Sequence, residues 1–247
     1  MYDYDFPKKE EKVGIGKFED YEDDLFKAKL SIYANTTFID KAWLVCNPIP
    51  VPIYQQAMAF FDYCHKTLKA EGMLLLRYND GEWSLAACRQ YVGMGHVDAH
   101  PEINAEQLTN VVGDIHSHPG MGAFHSGTDE ADERKIKHGL FMVASSFESM
   151  KFSPFSSVIN VLGYIRGKSF EIDPVDIFDM NGKLDPNVTF PEEWKALVST
   201  EHCPHCPKEF KFGKHHNRNR NRNGGGGKHW WNNWNKKSSH LWGDTYD

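Results

Sequence analysis

Nowhere in this chain do 18 apolar residues follow one another, which leaves no segment able to cross a membrane as a helix. Cysteine is scarce too. Five in 247 residues are too few for a disulfide scaffold, and Cys46, Cys64 and Cys88 stand singly in apolar stretches, as reduced core thiols do. The opening MYDYDFPKKEEK lacks the basic-then-apolar order of a secretory leader. Together these absences set the expectation of a soluble, cytoplasmic protein with no membrane partner. What is present is 40% hydrophobic and 25% charged residues with a formal net charge of −6, enough apolar sequence for one sizeable core.

That net charge averages over two unlike ends. Residues 1–30 hold nine acidic and six basic residues, and they read as an acidic, solvated extension from which Phe6, Phe18 or Phe26 could dock on the domain. Residues 201–247 hold nine Lys/Arg against four Asp/Glu, an NRNRNRNGGGG stretch and four of the seven tryptophans. This tail reads either as solvated low-complexity sequence or as a flexible arm that stacks on and neutralises single-stranded nucleic acid. Within it, Cys203 and Cys206 followed by His215 and His216 are a candidate second zinc site. A single domain is expected over residues 31–200.

Periodicity organises that middle. KAWLVC (41–46) reads as a strand stopped by the prolines of PIPVP. Apolar positions at Tyr54, Ala57, Met58, Phe61, Cys64 and Leu68 predict an amphipathic helix over 54–70. Strands are predicted over 73–78 and 83–91, joined at Asn79-Asp80-Gly81, and over 111–115, 140–145 and 157–166. The last pairs with 169–173 across Gly167-Lys168. Residues 93–110 read as an irregular excursion with one short helix. Residues 129–138, acidic first and basic last, predict another helix. The fold class implied is α/β, a mixed β-sheet flanked by helices, with disordered terminal extensions.

The chemistry concentrates after the strand at 111–115. His116 and His118, two apart on extended backbone, point to one side and can meet one ion. Pro119 ends the strand, the glycines of GMG turn the chain back, and Asp129 opens the next helix. Two imidazoles and one carboxylate leave a fourth tetrahedral position open, as in catalytic zinc sites.

The string H-S-H-P, six residues, Ser126, two residues, Asp129 resembles the motif of the JAMM (JAB1/MPN/Mov34) metalloproteases at every fixed position. An upstream glutamate completes that pattern. Glu71 fits it, closing the helix before Leu74-Leu75-Leu76, although the family usually has glycine where Leu74 stands; Glu82 is the rival. The resemblance spans roughly residues 40–170. It implies an MPN/JAB-like fold of cytidine-deaminase-like architecture. It further implies zinc held by His116, His118 and Asp129, with Glu71 as general base and proton carrier and Ser126 as donor to the developing oxyanion. The implied reaction is hydrolysis of an amide in a protein or peptide substrate, including removal or processing of a ubiquitin-like modifier.

Other residues carry plainer expectations. Ser117 reads as a small linker between ligands. Asp114 reads equally as a partner of a histidine or as a solvent-facing strand residue. His125 departs from the apolar residue usual in the family and is expected to be a solvated loop histidine, ahead of a substrate contact or a third imidazole near the metal. His96, His100 and His138 have no spacing that recruits them. The MGAF stretch resembles JAB-domain proteins of phages and mobile elements. Two other functions compete: a non-catalytic MPN-like scaffold with a nucleic-acid-binding tail, and a nucleobase deaminase. Relatives of the scaffold kind usually lack the ligands that are present here. The deaminase pattern needs an H-x-E upstream of Cys203 and Cys206, and none is there.

Overall fold

The apolar runs around Leu74, Val112 and Phe141 become neighbouring strands of one sheet in the computed structural model, which describes residues 17–33, 36–99, 108–145, 159–179, 181–185 and 187–201. The chain order is β1 (Lys17–Glu22), β2 (Phe26–Tyr33), β3 (Thr36–Leu44), α1 (Val51–Tyr63), β4 (Met73–Asn79), β5 (Glu82–Ala86), β6 (Gln90–Gly93) and β7 (His96–Ala99). Then come β8 (Val111–Ser117), α2 (Gly127–Ile136), β9 (Gly139–Ala144), β10 (Ile159–Ile165), β11 (Lys168–Ile172), α3 (Pro174–Ile177) and the short β12 (Val198–Ser199). Cys203, Cys206, His215, His216, the tryptophan-bearing tail, Phe6 and His100 lie outside the described residues. No helix among the described residues is long and apolar enough to cross a membrane.

The central sheet runs β11-β10-β9-β8-β4-β5. It is mixed, since β8 and β9 are parallel and their other partners antiparallel. The expected α/β class with a mixed sheet and flanking helices is what forms. β4, β8 and β9 are so continuously apolar because the sheet is covered on both faces. Phe60 and Phe61 of α1 pack with Leu74, Leu76, Ile115, Leu140 and Met142 on one face. On the other, Met73, Leu75, Phe141 and Tyr164 form a smaller cluster against which Ile136 of α2 packs. Gly113 is obligatory where β8 meets β9, because a Cβ there would sit 1.7 Å from the carbonyl oxygen of Leu140.

Local signals mostly held. Asp80 and Gly81 both have positive φ, the conformation an Asp-Gly hairpin turn requires. The helix predicted over 54–70 begins earlier, at Val51, because Pro50 and Pro52 sit at its cap and first turn, where a missing N–H costs nothing. Its last turn, Cys64–Leu68, loosens into π geometry and ends at Lys69 with positive φ. The strand expected over 83–91 is instead two strands in different sheets. Gln90, fully buried, donates to and accepts from the backbone of Met73, which draws β6 away from β5. The excursion expected after residue 93 contains β7, which pairs with β6 beside β12.

The largest difference concerns residues 1–30, read from composition as a solvated extension. From Lys17 onward they build a three-stranded sheet, β1-β2-β3. Phe26, Ala28 and Leu30 are buried in the main core, while Phe18 is 72% exposed. Charge masked a period-two pattern here: Phe26, Ala28 and Leu30 alternate with Lys27 and Lys29. The sheet is tied to the centre by Arg166, which pairs with Glu19, and by His138, whose Nε2 lies 3.1 Å from Asp23. The folded unit therefore starts well upstream of residue 31.

Candidate metal centre

Register explains how residues distant in sequence meet. Met73 of β4 lies opposite His116 of β8, and Leu75 opposite Asp114. One step beyond the ladder, Gly72 N–H donates to Ser117 Oγ and Ser117 N–H donates to the Gly72 carbonyl, each at 2.9 Å. That continuation places Glu71 across from His118. Side chains two apart share a face, so Glu71, Met73, Asp114, His116 and His118 all belong to the face covered by α2. Ser117 is thus more than a linker: its hydroxyl, fully buried, splices the segment bearing Glu71 to the strand bearing the histidines. Gly72 cannot gain a side chain easily, because a Cβ would lie 2.9 Å from Cys64 Sγ. Glu82 is paired with Asn79 at the opposite end of β4, so the rival glutamate faces away from this site.

Asp129 arrives from α2. Ser126 caps that helix: its Oγ accepts from Asp129 N–H, and its own N–H donates to Asp129 Oδ2 at 2.6 Å. This reciprocal box fixes the carboxylate at the helix N-terminus. Its Oδ2 lies 3.7 Å from His116 Nε2 and 3.7 Å from His118 Nε2. One donor atom from each of the three residues falls within 4.8 Å of the others, a group that could hold a metal ion. His116 Nε2 is buried with no hydrogen-bond partner among the described residues. Two imidazole nitrogens, one of them orphaned, and a carboxylate oxygen fit zinc with a position left for a further ligand.

The electrostatics separate the groups. Burial pushes the Glu71 carboxyl up to about 7; Asp129 adds to that rise and His116 opposes it. Burial alone would raise Asp129 as well, but His116 and the hydroxyl and N–H of Ser126 outweigh it and hold this carboxyl well below its usual range. For His116 burial opposes the charged form, yet Asp114 and Asp129 prevail and raise its pKa. Burial and the neighbouring His116 lower that of His118. Asp114 is buried, with Oδ1 3.4 Å from His116 Nδ1, so of its two readings the partner of a histidine is the one realised.

His125 departs from expectation. Its side chain is 2% exposed, not solvated, because its Nδ1 lies 2.6 Å from Oε1 of the buried Glu133. Glu133 in turn accepts from the Tyr164 hydroxyl at 3.2 Å. Neither Glu133 nor Tyr164 stood out in the sequence. The available signal was that Glu133 is four residues after Asp129 and so shares its helix face. Around the rim, Phe124 packs edge-on against the His118 ring and is half exposed, with Met121 exposed nearby. His96 is exposed on β7, and His138 serves the junction with the N-terminal sheet.

Residues 59–157 match the family model described as prokaryotic homologs of the JAB domain. The chain carries a JAB-type domain. The matched stretch contains Glu71, both histidines, Ser126, Asp129 and Glu133, whereas the N-terminal sheet and Tyr164 lie outside it. No curated protein matches the chain.

Proposed function

We propose that the JAB-type domain is a zinc-dependent peptidase or isopeptidase that hydrolyses an amide of a protein or peptide substrate, with a ubiquitin-like conjugate as the substrate class to test first. The observation that carries this reading is the convergence of His116, His118 and Asp129 on one sheet face with a buried glutamate across the strand pair. Zinc held by those three residues supplies Lewis acidity, polarising a carbonyl and making water nucleophilic near neutral pH.

The remaining work falls to the chain. Glu71 takes the proton of the attacking water and returns it to the departing amine; a carboxyl brought to about 7 suits both halves of that task. Ser126 Oγ is already occupied as acceptor by the Asp129 N–H, so its own proton is free to be aimed at the carbonyl oxygen as charge develops. Asp114 orients His116 from behind. Phe124 and Met121 offer an apolar rim for the residues flanking the scissile bond.

The test is metal analysis of the purified protein, followed by incubation with a panel of ubiquitin-like fusions and cell lysate, with Glu71→Gln as control. The reading expects about one zinc per chain and cleavage that Glu71→Gln abolishes. A protein that takes up no metal, or cleavage undiminished in Glu71→Gln, would overturn it. Zinc uptake without cleavage of any panel member would instead favour a binding role for the domain.

A further inference from the structure

Two imidazole–carboxylate pairs lie side by side on the α2 face, and only one belongs to the three-residue cluster. In the first, His116 Nδ1 faces Asp114 and leaves Nε2 orphaned toward Asp129. In the second, His125 Nδ1 faces Glu133, and Nε2 is again buried with no hydrogen-bond partner among the described residues. The rings of His116 and His125 stand edge-to-face with centroids 6.4 Å apart.

A purely structural clamp between the loop and α2 accounts for Nδ1 and not for Nε2. Nε2 of a buried imidazole is either a donor or an acceptor, and buried groups of both kinds are almost always matched. Glu133 cannot swing away to release the ring, because its second oxygen is held by Tyr164 from β10. The tight group of donor atoms contains His116, His118 and Asp129 and not His125. His125 therefore stands beside the centre, with a buried unmatched nitrogen, without being one of the clustered donor atoms.

We infer that His125, held by Glu133 and Tyr164, is a positioning residue whose Nε2 hydrogen-bonds a water seated at the His116–His118–Asp129 centre. This rests on the metal-centre reading above and adds a direction to it: the water is gripped from the α2 side by His125 and from the β4 side by Glu71. The chain β10 Tyr164, α2 Glu133, loop His125 transmits the rigidity of the sheet to that grip.

Metal binding by the full chain tests it without reference to any substrate. Zn²⁺ affinity is measured by chelator competition and the visible absorption of the Co²⁺ form is recorded, for the parent and for His125→Leu, His125→Gln, Glu133→Gln and Tyr164→Phe. The inference expects His125→Leu to keep one metal per chain, with a shifted Co²⁺ band and affinity weakened about tenfold. His125→Gln, which returns an amide able to donate or accept, restores most of both. Glu133→Gln falls between, and Tyr164→Phe has the smallest effect. Should His125→Leu fail to fold, Glu133→Gln against His125→Gln carries the same contrast. A thermal destabilisation with unchanged band and affinity would reduce the trio to a structural clamp and overturn the inference alone. Loss of the metal in a folded His125→Leu, unrescued by His125→Gln, would make His125 a direct ligand and overturn it as well. A parent chain that binds neither metal would overturn both readings.

Discussion

Glu71 and Asp129 are both acidic, both largely buried and both directed at the same pair of histidines, yet their surroundings drive them apart. On the α2 side, Asp129 opens a helix, receives the Ser126 N–H and lies beside His116, so its negative charge is stabilised despite burial. On the β4 side, Glu71 sits in a short link before a strand, and the backbone interaction there is its own N–H donating to the Gly93 carbonyl. Its carboxyl is desolvated, and its pKa climbs to about 7. Position along the secondary structure, not residue type, makes one group a fixed anion fit for a ligand and the other a carrier able to hold or release a proton near neutrality.

Removing the anion is expected to do the most damage. Asp129→Ala deletes a candidate ligand and half of the capping box, so zinc content should fall from about one per chain to near zero and hydrolysis to background. His118→Ala should behave alike. Elemental analysis beside an activity assay reads both; an Asp129→Ala protein that kept its zinc would erase the distinction between the two carboxyls. Glu71→Gln comes next. It should lower kcat by about 10²–10⁴ while zinc content stays unchanged. Loss of metal in that variant would make Glu71 a ligand and collapse the contrast from the other side.

Ser126→Ala sharpens the picture further, because Ser126 serves Asp129 and the proposed oxyanion at once. Losing the cap should cost about 1 kcal/mol, read by denaturant unfolding. Losing the donor should cost about a hundredfold in kcat. Ser126→Asp preserves an acceptor for the helix N–H groups and no donor. It should therefore recover stability and not rate; recovery of both would leave Ser126 a helix cap alone.

The unequal legibility of the two sides follows from sequence distance. His116, His118, Ser126 and Asp129 occupy a strand end, a turn and a helix start within fourteen residues, where strand alternation and the capping pattern constrain the geometry. Glu71 is 45 residues from His116, and its place depends on the β4–β8 register and on the Ser117 hydroxyl, neither of which a one-dimensional pattern displays. The trio of His125, Glu133 and Tyr164 is harder still, because a solvated loop histidine and a buried paired one look identical in sequence. The N-terminal sheet was hidden for another reason. Nine acidic residues in thirty dominate a composition average, while three alternating apolar side chains decide where the segment packs.

The last effect is thermodynamic and has the opposite sign to the catalytic one. A carboxyl whose pKa is raised on folding, from 4.5 to about 7, binds its proton more tightly in the folded state. Its contribution to stability is therefore complete below pH 4.5 and is lost as pH rises through 7. In the metal-free protein at pH 8, burying the Glu71 carboxylate should cost about 3 kcal/mol, the free energy to which a rise from 4.5 to about 7 converts. Glu71→Gln removes the charge and keeps the shape. Metal-free Glu71→Gln and parent should then unfold at the same denaturant concentration below about pH 4.5, with the variant gaining the advantage as pH rises from 4.5 to 7 and keeping it above. No such crossover is expected for Asp129→Asn, since that carboxylate is stabilised by its neighbours and its loss should weaken the fold at pH 8. Equal behaviour of the two amide variants across that range would mean that the helix cap and the desolvated link do not set the two carboxyls apart.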